Sequence, residues 1–133
     1  MNEPLIQVDN LAKRYPSPEG GELTVFEDAK FELRKGEFVC VIGHSGCGKS
    51  TILNILAGLD EASDGYVFMN GREVHGPSLD RGVIFQNYSL LPWLSTLKNV
   101  TFGVAARWPD WSKEKVRQHS LKYLELVGLH GVE

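Results

Sequence analysis

The spacing of apolar residues changes period several times along this chain, and each change marks an element. Leu5 to Leu11 sets Ile6 and Val8 between polar partners, a period of two that predicts a first strand. The cluster Pro16-Ser17-Pro18-Glu19-Gly20-Gly21 predicts a turn, because proline fixes φ and glycine admits the left-handed region. Leu23 to Phe26 and Ala29 to Leu33 read as second and third strands, expected to pair as hairpins before Lys35-Gly36 turns the chain. Phe38-Val39-Cys40-Val41-Ile42 is an unbroken apolar run, mostly β-branched or aromatic, as in a strand buried on both faces of a parallel sheet.

Beyond Ile42 the period becomes helical. Ile52, Leu53, Ile55, Leu56 and Leu59 recur at offsets of three and four, predicting a helix from about Lys49 to Leu59 that packs on the sheet and ends at Gly58. Ser63-Asp64-Gly65 predicts a turn, Tyr66 to Met69 a strand and Asn70-Gly71 a tight turn. Gly82-Val83-Ile84-Phe85 reads as a short apolar strand running into Gln86, where a loop begins. Leu97, Val100, Thr101 and Val104 share a face and predict a helix from Leu94 to Ala106, broken by Pro109. A last helix starts at the N-cap Ser112, carries Glu114 in its first turn and Val116, Tyr123, Leu124 and Val127 on its apolar face, and ends at Gly128.

The chemistry lies where strand is expected to give way to helix. Gly43 to Ser50 reads Gly-His-Ser-Gly-Cys-Gly-Lys-Ser, a full match to the phosphate-binding pattern GxxxxGK[ST] in the context that gives the pattern meaning. Gly43, Gly46 and Gly48 let the backbone turn its N–H groups inward around a phosphate chain, and the helix start adds unpaired N–H groups and the positive end of its dipole. Lys49 is expected to give a point charge to the β and γ phosphates, and the Ser50 hydroxyl to ligate Mg²⁺. With His44, Ser45, Cys47 and Thr51, these residues form a candidate nucleotide site.

Length and charge narrow what else the chain is expected to do. Its 133 residues suffice for one modest domain. A net charge of -3 gives no general attraction to nucleic acid. Six basic residues between Lys98 and Lys122 face Asp110 and Glu114 and read as a solvated helix face. The N-terminus has no basic segment followed by an apolar one, and no apolar run nears the length of a spanning helix, so a soluble, cytoplasmic chain is expected. Cys40 and Cys47 fit a reducing compartment.

Four features, in order, resemble the ATP-binding subunit of ABC transporters. Tyr15, in Lys13-Arg14-Tyr15, is similar to the aromatic residue that stacks on adenine, and the phosphate loop follows 28 residues later. Leu56-Ala57-Gly58-Leu59-Asp60 and Ser63-Asp64-Gly65 resemble the family's helix end and following turn. Gln86, 37 residues after Lys49, stands where the family's Q-loop glutamine would. The resemblance implies an α/β fold of the P-loop NTPase, ABC ATPase type, with an N-terminal antiparallel β subdomain and phosphate-loop core over about 1–93 and the start of a helical subdomain over about 94–133. It implies ATP and Mg²⁺ as cofactors, with Lys49 and Gln86 in catalysis and Ser50 and Gln86 toward the metal. As partners it implies a second ATP-binding subunit and a membrane permease meeting Asn87 to Leu94, so that the subunit sits on the inner face of the cell membrane. Gly82 to Gln86 followed by Leu91-Pro92-Trp93-Leu94 is most similar to importers of nitrate and nitrite, then of sulfonates and taurine.

The resemblance reaches only the first half of the family domain. An LSGGQ-like signature, an apolar strand ending in Asp-Glu and the later switch histidine do not occur, and His44, His75, His119 and His130 match none of those contexts. The 133 residues alone are therefore expected to hydrolyse ATP very slowly and to be marginally stable, with sheet edges unpaired. A truncated nucleotide-binding or interaction protein without turnover is the competing reading. A small kinase or GTPase is disfavoured, since no acceptor-substrate motif or guanine-specifying Asn-Lys-x-Asp is present.

Overall fold

Strand β1 (Ile6–Pro16) pairs antiparallel with both β2 (Glu22–Leu33) and β3 (Asp64–Met69), and β4 (Arg72–Glu73) completes a sheet of order β2-β1-β3-β4. This computed structural model describes residues 3–131. They fall into two compact units, one reaching to Val83 and the other beginning at Ile84. The hairpin turn at Ser17–Gly21 and the tight turn at Asn70-Gly71, both residues at positive φ, lie where the glycines and asparagine place them.

Bulges decide which way β1 points. From Val8 to Leu11 the strand advances three residues while β2 advances two, from Phe31 to Ala29, and β3 shows a matching shift. The extra residue coincides with Asn10 at φ 48°, a conformation asparagine tolerates better than most residues. An odd step restores both Val8 and Leu11 to the core side, where they pack with Ile55 and Val67. Lys13 and Tyr15 follow Leu11 at two and four residues, so they too face the helix side of the sheet.

Helix α1 (Lys49–Ala57) covers that side, with Ile55 and Ala57 buried and Gly58 ending it in the left-handed conformation. In the second unit α2 (Thr96–Arg107) packs on α3 (Lys113–Leu126). Each begins at a serine: Ser95 accepts from the Lys98 amide and Ser112 from the Lys115 amide. Leu97, Val116 and Leu124 are buried. The fully buried Ser120 donates its hydroxyl to the Val116 carbonyl at 2.7 Å, which satisfies it within its own helix.

Three expectations are corrected. The segments expected as separate second and third strands form one strand, because Asp28 at φ 53° absorbs the break as a bulge. Phe38 to Ile42 is not a buried strand: it carries no ladder, and Phe38 and Ile42 are 92% and 93% exposed. Gly82 to Phe85 is likewise irregular and exposed. Both runs have strand composition, but a ladder requires a neighbour, and among the described residues none pairs with either.

Candidate functional site

The loop from Gly43 to Gly48 enters α1 through two glycines in the left-handed region, Gly46 at φ 80° and Gly48 at φ 98°. Gly48 is also packed: a Cβ there would lie 2.9 Å from Val25 Cγ1 and 3.1 Å from Phe26 Cδ1, so β2 seats the loop against the sheet. Unlike α2 and α3, α1 has no side-chain cap, and its first turn carries no acidic residue. Its leading amides therefore remain available to an anion, with no carboxylate beside them to repel it. Ser50 is exposed in that turn and Thr51 half-buried.

Lys49 folds back across the loop. Its Nζ donates to the carbonyls of Gly43 at 2.7 Å and His44 at 2.6 Å and lies 3.6 Å from Cys47 Sγ. All three ammonium donors thus point into the loop, and the charge is held at its mouth rather than free in solvent. His44, Ser45 and Cys47 are exposed around it.

Tyr15 reaches the same helix from β1. Its hydroxyl donates to Asp60 Oδ2 at 2.7 Å and also interacts with Thr51 in the first turn of α1. Asp60 Oδ1 accepts from Lys13 Nζ and from the Glu61 amide, both at 2.8 Å. Lys13 donates in addition to the Glu61 carbonyl at 2.5 Å, and its ammonium stands over the Tyr15 ring, 4.8 Å from the centroid. Sequence reading passed over Lys13 and Asp60 as partners, since 47 residues separate them and only the fold unites them. It also missed Arg81, which donates to the carbonyls of Leu56 at 3.1 Å and Gly76 at 2.6 Å and ties the 76–80 loop to the end of α1. Both acceptors lie on backbone, so no residue type in the sequence could signal the link.

Opposed titrations follow from this cluster. The Asp60 carboxyl is held below its ordinary value by the bond from Lys13 and then by that from Tyr15. The Tyr15 phenol is pushed above its ordinary value, first by the bond it donates to Asp60 and then by burial and the Asp60 charge. A depressed carboxyl stabilises the fold above its unfolded pKa and loses that contribution as pH falls through the folded one; a raised phenol stabilises below its unfolded pKa and loses it as pH rises through the folded one. The Tyr15–Asp60 coupling in a double-mutant unfolding cycle is therefore expected to be level between about pH 5 and pH 9 and to fade on either side. Coupling that grows in acid would contradict the assignment.

The structure thus brings Tyr15, from β1, to Thr51 in the first turn of the helix that the loop opens. Gln86 belongs to the second unit, where it is exposed at a bend. The stretch after it is organised by Asn99, whose side chain accepts from the Leu91 amide at 2.8 Å and donates to the carbonyls of Leu91, Leu94 and Ser95. Tyr88, Leu90 and Trp93 are exposed there.

A glycine-rich loop opening an uncapped helix on a sheet, with its lysine folded across the mouth, defines a nucleotide-binding protein of the P-loop class. The chain belongs to the ABC transporter family, whose description matches residues 26–133. It is 43% identical over 129 residues to the nitrate import ATP-binding protein NrtD of Synechococcus elongatus, covering 97% of this chain and 47% of that protein. It is 41% identical over 128 residues to the bicarbonate transport ATP-binding protein CmpD of the same organism, covering 96% and 46%. The chain spans about half the length of the curated relatives it matches. Among solved structures it resembles a dimeric ATP-binding cassette in a post-hydrolysis state bound to ADP and Pi, with a TM-score of 0.81 and 28% identity over 95% of this chain and 58% of that one. The fold is accordingly that of an ABC-type P-loop ATPase domain, with an N-terminal antiparallel β subdomain. No helix among the described residues is long and apolar enough to cross a membrane.

Proposed function

We propose that this chain binds ATP with Mg²⁺ at Gly43 to Thr51 and Tyr15, as part of the ATP-binding subunit of an importer of a small inorganic anion, nitrate foremost. The carrying observation is the uncapped start of α1 beneath a lysine held at the loop mouth. Lys49 exchanges its two carbonyl partners for the β and γ phosphates, a gain because a charged acceptor binds an ammonium more strongly than a neutral one. Ser50, exposed in the first turn of α1, offers Mg²⁺ a hard hydroxyl oxygen. Mg²⁺ bound there neutralises phosphate charge. Tyr15 stacks on the adenine.

The nitrate assignment rests on similarity to NrtD and on the likeness at Gly82 to Leu94, and bicarbonate is the nearest competitor because CmpD is almost as similar. Within the longer subunit Gln86 positions metal and water in hydrolysis, and the exposed Asn87 to Leu94 surface meets a permease at the inner face of the membrane, with a second ATP-binding subunit completing a dimer. About 1–93 and 94–133 act as the β and phosphate-loop core and the start of the helical subdomain. The 133 residues by themselves bind without appreciable turnover, because neither the loop nor the first turn of α1 carries an acidic residue to activate water.

Calorimetric titration of the chain with ATP and with tripolyphosphate, both with Mg²⁺, tests the reading. Tyr15→Ala is expected to weaken ATP about tenfold, within the range of one base stacked on an aromatic ring, and to leave tripolyphosphate unchanged. No binding of either ligand at millimolar concentration would sink the assignment; equal loss of both on Tyr15→Ala would remove the stacking role. Nitrate-dependent uptake restored to a deletion strain by the full-length subunit, with bicarbonate uptake unaffected, checks the solute.

A further inference from the structure

We propose that Asp60 is a positioning residue for the base: its carboxylate ties the Lys13 ammonium to the Tyr15 hydroxyl, fixing the ring with one face under Lys13 and the other open for stacking. This rests on the nucleotide reading above and names how its base subsite is held. The geometry is over-determined. Oδ1 takes two donors, Lys13 Nζ and the Glu61 amide, both at 2.8 Å, and Oδ2 takes the Tyr15 hydroxyl at 2.7 Å. Lys13 is held in turn by the Glu61 carbonyl at 2.5 Å, so its ammonium has little freedom to leave the ring it covers. The side chain of Lys13 is 11% exposed and that of Asp60 30%, which keeps their attraction from being screened away as it is at an open surface.

An unrestrained tyrosine would rotate about two side-chain bonds and lose that freedom on stacking. Here the hydroxyl anchor and the ammonium remove it beforehand. Tyr15 remains 39% exposed despite both contacts, which leaves ring surface for a ligand. The anchor belongs to the turn that ends α1, and Lys49 and Ser50 begin the same helix. One rigid element therefore carries both the phosphate end of the site and the residue that aims the base platform.

Two variants isolate the effect. Asp60→Asn removes the charge that holds Lys13, and Tyr15→Phe keeps the stacking ring but removes its anchor. Each is expected to weaken MgATP about threefold to tenfold while tripolyphosphate affinity stays at the wild-type value, and the double variant is expected to lose no more than the worse single one. Equal losses of ATP and tripolyphosphate would show a merely structural role and overturn the proposal. So would wild-type ATP affinity in both variants, or fully additive losses. If Asp60→Asn fails to fold, Tyr15→Phe decides alone: an ATP-selective loss supports the anchor and unchanged ATP affinity rejects it. ATP binding by the wild-type chain that Tyr15→Ala does not alter would reject the anchor together with base stacking, whereas wild-type ATP affinity in Tyr15→Phe beside a loss in Tyr15→Ala would reject the anchor and leave the nucleotide reading standing.

Discussion

Gly58→Ala is expected to destabilise the first unit by about 2–5 kcal/mol, the sum of a left-handed alanine and an overpacked contact. Gly58 closes α1 at φ 78°, and a Cβ there would lie 2.1 Å from the Gly76 oxygen, 2.2 Å from its carbonyl carbon and 2.7 Å from Pro77 N. These are backbone atoms, so relief requires moving the 76–77 segment rather than turning a side chain. That segment is tethered: the Gly76 oxygen accepts from Arg81, which also holds the Leu56 carbonyl at the end of α1. The turn past Gly58 also bonds the Leu59 and Asp60 amides to the Asn54 carbonyl and so aims Asp60. Urea unfolding followed by far-ultraviolet circular dichroism, with hydrogen exchange at β1 and β2 amides, measures the loss. Tryptophan fluorescence does not, because Trp93, Trp108 and Trp111 all lie beyond Val83. A midpoint and exchange pattern matching wild type would refute the packing argument.

Local signals carried most of the elements into view. Ser112 accepts the amide three residues on, Gly58 and Gly128 follow helices at positive φ, and Asn70-Gly71 turns β3 into β4. Each effect acts within a few residues and is set by side-chain type. What escaped was set by partners far along the chain. Phe38 to Ile42 and Gly82 to Phe85 have the composition of buried strands, yet pairing depends on a neighbour and not on composition. The bulges at Asn10 and Asp28 escaped as well, and they matter more, since a single inserted residue decides which face Leu11, Lys13 and Tyr15 present.

The phosphate-loop motif was legible because it is contiguous: its glycines, lysine and serine fall within eight residues. The likeness of Tyr15 to a family position was legible by order and spacing, but its setting was not. Sequence gave no warning that Lys13 would occupy one ring face or that Asp60 would hold the hydroxyl, because a salt bridge across 47 residues leaves no periodicity to read. Long-range polar contacts of this kind separate a residue's likeness to a family position from the way this chain holds it.

Lys49→Ala is expected to weaken MgATP and Mg²⁺-tripolyphosphate together, each by tenfold or more, as follows from losing a charged bond worth about 1.5–3 kcal/mol. The equal loss distinguishes it from Tyr15→Ala, whose effect follows the base. In the structure the ammonium is desolvated only in part and satisfied by the Gly43 and His44 carbonyls, both exposed residues that water can serve when the side chain is gone. Unfolding free energy should then shift by no more than about 1 kcal/mol, so lost binding cannot be laid to lost folding. Lys49→Arg keeps the charge but brings a planar fork where a compact ammonium fits among two carbonyls and Cys47, and it is expected to recover only part of the affinity. Raising ionic strength should narrow the gap between wild type and Lys49→Ala, because the difference between them is a partly exposed charge meeting an anion. Wild-type affinity for both ligands in Lys49→Ala would remove the phosphate loop from the site, and with it the reason to place ATP on this chain.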